Sequence, residues 1–145
     1  MMGRITFSVL VTILLIGGAL GHPANGQPEA SGERTGGKPY ILKSAFMCEK
    51  IENRQPVNPV AVFSASRKKM VCFSGFDEVR SKSYVFHNWF RRDVPVANIK
   101  LLLQPPQWST FSSMPIRETE KGPWRVEITD ENGEILRVLR FSLVD

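Results

Sequence analysis

Tyr84-Val-Phe-His-Asn-Trp-Phe-Arg-Arg92 is the stretch on which the fold turns. In an extended chain, successive side chains point to opposite faces, so Tyr84, Phe86, Asn88 and Phe90 form one row and Val85, His87, Trp89 and Arg91 the other. β-Branched and aromatic residues dominate both rows, which favours a strand. With large apolar side chains in both phases, this is expected to be a central strand with little solvent on either side.

The surrounding chain has 145 residues, 42% hydrophobic and 23% charged, the length and composition of one globular domain. Its formal net charge is +5. Arg4 is the only charge in residues 1–26, so a product starting at Gln27 carries +4. That is too modest to imply nucleic acid as a partner. Two cysteines and two histidines leave no Cys/His metal spacing, and no cofactor site is expected.

Residues 1–26 have the three-part pattern of a secretory signal: Arg4, an apolar run from Ile5 to Ile16, then small residues at Ala19-Leu-Gly21 and Ala24-Asn-Gly26. Cleavage is expected after Gly21 or Gly26, which makes the product periplasmic or secreted. The alternative is an uncleaved N-terminal anchor, the one case in which a membrane becomes a partner. Residues 27–39 are rich in glycine and proline without a large apolar residue and read as a flexible linker. Gly32, Gly37 and Lys38 mimic a phosphate-binding loop, but Pro39 stands where a magnesium-binding hydroxyl belongs.

Residues 40–145 form the expected domain. Strand patterns run through Ile41–Ile51, Met70–Phe76, the central stretch, Val96–Leu103, Trp108–Ile116, Trp124–Thr129 and Ile135–Val144, with a short apolar piece at Val60–Ala65. Asn53–Pro59, with two prolines, reads as a turn. Asn132-Gly133 reads as a two-residue hairpin turn with both positions at positive φ. About seven short strands without a helix predict an all-β, immunoglobulin-like antiparallel sandwich, with an open barrel as the alternative.

His87 is the only histidine beyond the signal. Flanked by Phe86 and Trp89, it reads as a structural residue hydrogen-bonded between strands rather than a metal ligand or proton carrier. Ser109, Ser112 and Ser113 lack a nucleophile-elbow motif. Trp89 and Trp124 are expected in the core, and Trp108, beside Pro106, on the surface. Nine Lys/Arg against three acids between Arg54 and Lys100 contrast with five against seven from Arg117 to Asp145. Arg67, Lys68, Lys69, Arg91 and Arg92, with Trp108, are therefore the candidate interaction surface, with an ordinary solvated surface whose charges mix in three dimensions as the alternative. Export places the chain where thiols oxidise, so Cys48 and Cys72 are expected to form a buried disulfide, with two buried free thiols as the alternative.

Pro56-Val-Asn-Pro59, Cys72-Phe-Ser74, His87-Asn-Trp89, Trp108-Ser109 with Ser112-Ser113, Gly122-Pro-Trp-Arg-Val126, and Asp130 with Gly133 through Phe141 occur in an order that resembles domain-of-unknown-function family 2914. The resemblance runs from about Ile41 to Val144. It implies an exported or membrane-attached bacterial protein, and a signature cluster of His87, Trp89, Ser112, Ser113, Trp124 and Arg125. It carries no activity and no catalytic residues.

The resulting expectation is a non-catalytic binding or scaffolding module of the cell envelope, meeting an envelope protein or an anionic glycan. The alternatives are a hydrolase or carbohydrate-active enzyme using Ser112 or His87, and an accessory subunit tethered by its N-terminus.

Overall fold

A computed structural model describes residues 37–145. The expectations placed on 1–26 and on all but the end of 27–39 lie outside the described residues. Nine strands follow in order: β1 (Ile41–Glu52), β2 (Gln55–Pro59), β3 (Val62–Ser64), β4 (Lys69–Asp77), β5 (Ser83–Arg91), β6 (Val94–Leu103), β7 (Trp108–Pro115), β8 (Gly122–Thr129) and β9 (Ile135–Val144). Among the described residues the only helical turn is a 3-10 turn at Glu118–Glu120.

The strands form two sheets, β2-β1-β4-β7 and β3-β9-β8-β5-β6. All pairings are antiparallel except β3 with β9. The order β9-β8-β5-β6 matches G-F-C-C′ of a variable-type immunoglobulin sheet, and β1-β4-β7 matches A-B-E. The expected immunoglobulin-like sandwich is the observed fold. Strand β5, which carries Tyr84–Arg91, is strand C, and its Trp89 is fully buried, as the tryptophan of that strand is in immunoglobulin domains.

Alternation along β5 decides the core. Val85, His87 and Trp89 are 0% exposed; Val85 and Trp89 share one continuous cluster with Met70, Cys72 and Phe76 of β4 and with Val126, Ile128, Phe141 and Leu143. The other row of β5 is half-buried rather than sealed. Cations cover its rings: Lys100 Nζ lies 4.0 Å from the centre of Tyr84, and the Arg125 guanidinium 4.0 Å from that of Phe90.

Three expectations need correction. The proline-rich segment Asn53–Pro59 is a turn only at Asn53 and Arg54; the rest is β2, at a sheet edge, where a strand tolerates residues without an N–H. The β8–β9 hairpin has a three-residue loop: Gly133 N–H donates to Asp130 O, Asp130 N–H donates to Glu134 O, and only Gly133 has positive φ. Asp130 sets this geometry, because its Oδ1 accepts from the N–H groups of Asn132 (2.9 Å) and Glu134 (2.8 Å).

The third correction concerns the cysteines, which are both free and buried. They sit on adjacent strands, but the register pairs Met47 with Cys72 and Cys48 with Val71. A one-residue offset turns the two side chains to opposite faces of the sheet. Cys72 enters the inter-sheet core, whereas Cys48 joins Val71, Phe73 and Ile51 in a small cluster on the outer face. In immunoglobulin order the bridge joins strands B and F; Cys72 lies on B, but β8, the F strand, holds no cysteine.

Candidate functional site

The signature residues divide between an interior node and the outer surface. His87 of β5 extends from the five-stranded sheet into the core. Its Nε2 lies 2.9 Å from Ser74 Oγ on β4, and its Nδ1 2.8 Å from Ser112 Oγ on β7. Trp89 Nε1 donates to the same Ser112 hydroxyl at 3.0 Å. An indole N–H can only donate, so Ser112 accepts from it; a neutral imidazole has one donor and one acceptor nitrogen, so one serine donates to the ring and the other accepts. Burial pushes His87 down to about 3, which keeps the ring neutral at physiological pH.

The node joins the two sheets. His87 and Ser74 are 0% exposed and Ser112 5%. No buried side-chain nitrogen or oxygen among the described residues lacks a hydrogen-bond partner. Among the described residues both ring nitrogens of His87 are bonded to serines and none to a carboxylate, and the three side chains are buried, so together they bridge the two sheets. Ser74 is not among the site residues expected from the sequence, although a serine in the inward row Met70, Cys72, Ser74, Phe76 of an otherwise apolar strand is the signal for it.

Trp124 is also buried; it stacks on Phe141, whose ring edge meets Trp89. Its indole N–H donates to Glu120 O at 2.9 Å. Arg125, the next residue, necessarily faces outward. It lies over Phe90, bonds Glu127 Oε1 through Nε at 2.8 Å, and pairs with Asp93. Ser113 is exposed on the outer face of the four-stranded sheet. The cluster is thus His87, Trp89 and Ser112 in direct contact, Trp124 one ring further through Phe141, and Arg125 and Ser113 outside.

The candidate interaction residues also divide. β3 ends beside Val144 of β9, β9 meets Gly122 of β8, and Trp124 meets Arg91 of β5. This places the β3–β4 turn, with Arg67, Lys68 and Lys69, at the same end of the sandwich as the β5–β6 turn, with Arg91 and Arg92. Trp108 pairs with Phe76 and lies at the opposite end, half-buried, with the Arg54 guanidinium 4.8 Å from its ring centre. At the basic end, Arg67 pairs with Glu49 at 2.8 Å. Lys68, Lys69, Arg91 and Arg92 have no acidic partner among the described residues. Arg92 is held instead by Lys121 O at 3.2 Å.

No group of three or more His, Cys, Asp or Glu side chains among the described residues can hold a metal ion.

The strand order and the sealed node define an immunoglobulin-like sandwich domain. The family described as Protein of unknown function (DUF2914) matches residues 82–143, which span β5 through β9 almost to its end. The resemblance read from the sequence therefore holds over this half of the sandwich; the motifs at Pro56–Pro59 and Cys72–Ser74 lie before the matched residues. A search of curated proteins found none that matches the chain.

Proposed function

We propose that this is an exported, non-catalytic binding module of the bacterial cell envelope, acting in the periplasm or outside the cell on an anionic partner, with an acidic glycan the partner its charge fits. The observation that carries the reading is the basic end of the sandwich, where two turns place Lys68, Lys69, Arg91 and Arg92 at the same end with no acid paired to any of them among the described residues. The interior supports the non-catalytic half: the groups with catalytic potential are spent on joining the sheets.

Retention of the full chain on an acidic polysaccharide, compared with a neutral one, tests this. Retention is expected on the acidic matrix only, weakening as ionic strength passes roughly 0.15 M, where charges more than about 8 Å apart are screened. Lys68→Glu with Lys69→Glu is expected to abolish it. Equal retention on the neutral matrix, or indifference to charge reversal, overturns the reading. Turnover of a glycan by the wild-type chain favours the enzyme alternative.

A further inference from the structure

We propose that Arg92, Arg125 and Arg140 form a receptor for a single oxyanion group, a carboxylate or a phosphate ester, carried by a larger ligand. The inference rests on the anionic-partner reading for the nature of the ligand, but not for the place where it binds.

The three arginines line one cleft of about 120 Å³ with Asp93, Pro123 and Trp124. At roughly 30 Å³ per water molecule the cleft has room for one charged group. It is well below the ~300 Å³ at which pockets start to enclose a whole small molecule. It can grip one substituent of a chain that continues over the surface.

Arg125 is organised in advance. Its guanidinium lies 4.0 Å from the Phe90 ring centre, its Nε is tied to Glu127, and its side chain is only 17% exposed. An arginine fixed in this way presents the rest of its planar donor set at little entropic cost. Arg140 lies directly opposite it across the β8–β9 ladder. Like charges in such cross-strand positions are destabilising. Arg140 has no acidic partner among the described residues to relieve this.

The third arginine is placed by the two-residue β5–β6 hairpin turn, Arg92–Asp93. Arg92 and Asp93 have φ of 47° and 66°, the pair of positive values that a type I′ hairpin turn uses. Gly122 opposite has φ of 118°, and a Cβ there would lie 3.2 Å from Arg92 Nε and Nη2. Glycine thus gives the guanidinium the space a side chain would take.

Asp93 shows the chemistry the cleft accepts. Its carboxylate pairs with Arg125 although its own side chain is 88% exposed. Exposed pairs of this kind are weak, so an incoming anion can displace it. Three guanidinium groups face two carboxylates, Asp93 and Glu127, which leaves one positive charge for the ligand.

The test is titration of the full chain with glucuronate, and separately with inorganic phosphate, at ionic strength held constant with chloride. Arginine Nε–Hε signals are followed by NMR and affinity by calorimetry. Saturating shifts at Arg92, Arg125 and Arg140 are expected, with the stronger arm identifying the group as carboxylate or phosphate. Arg140→Gln should weaken binding about tenfold, the loss of one charge-assisted hydrogen bond. Asp93→Asn should tighten it, and Arg137→Gln, on the same strand outside the cleft, should leave it unchanged. Unfolding curves establish that each variant is folded.

Absence of shifts with both anions, or equal weakening by Arg140→Gln and Arg137→Gln, overturns the receptor. Salt-sensitive retention on acidic polysaccharide without small-anion binding overturns it while sparing the basic end. Small-anion binding without such retention does the reverse.

Discussion

The hydroxyl of Ser112 lies 2.8 Å from Nδ1 of His87, and the same oxygen takes the indole N–H of Trp89. One small side chain on an edge strand of the four-stranded sheet therefore satisfies two large ones from the middle of the other sheet. Ser112→Ala strands a buried donor and leaves a ring nitrogen without its partner. Unfolding in urea should show a loss of about 1–3 kcal/mol, against less than about 0.5 kcal/mol for Ser113→Ala, whose side chain is exposed. Similar losses at both positions would mean that the node does not tie the sheets.

Acid should weaken the fold through His87. Unfolded, the ring takes up a proton as pH falls through 6.5; folded, burial holds it off until about 3. The unfolded state binds the extra proton between those values, so stability is full above the upper one and declines below it, at up to roughly 1.4 kcal/mol per pH unit. His87→Gln should flatten this slope in urea titrations across the window. Asp130 acts lower. Burial raises its carboxyl, but Lys38 and the N–H groups of Glu134 and Asn132 outweigh that and hold it below 3.8, so its share is lost only under stronger acid. An unchanged slope in His87→Gln would show that the ring is not the titrating group.

Both thiols should be present and silent. Burial pushes Cys48 and Cys72 up, so neither forms the reactive thiolate readily. Alkylation of the native chain should add no group, and alkylation after unfolding without reductant should add two. A chain that gains none when unfolded would carry the bridge that the register forbids.

The β8–β9 loop should depend on Asp130 more than on its asparagine–glycine pair. Asp130→Ala removes the acceptor of two backbone N–H groups and should cost about 1–2 kcal/mol in thermal or urea unfolding. Gly133→Ala places a side chain at φ of 80°, at a cost of about 1 kcal/mol. Asn132→Ala, at a position without positive φ, should cost less than either.

Much of this was legible in the residues. Period-two alternation in Tyr84–Arg92 located strand C and turned His87 and Trp89 inward, because alternation is a local property of one strand. Register is not local. Cys48 and Cys72 both looked apolar and strand-borne, yet a one-residue offset between β1 and β4 separates their faces. Arg125, Arg140 and Asp93 come from three places in the chain, and only the β8–β9 ladder and the β5–β6 turn bring them to one cleft. Ser74 was within reach, since a hydroxyl in an inward apolar row has to find a partner.

Pro56 and Pro59 lie on β2, the outermost strand of its sheet, and remove two backbone donors from its ladder. On the corresponding side of the other sheet, β3 is three residues long. A foreign strand approaching this flank finds an interrupted template, which guards the domain against edge-to-edge polymerisation when it is crowded. The opposite flank is different: β6 has ten residues and β7 eight. A peptide that joins this protein by strand addition should therefore dock there, and self-association through strands should proceed from that flank first.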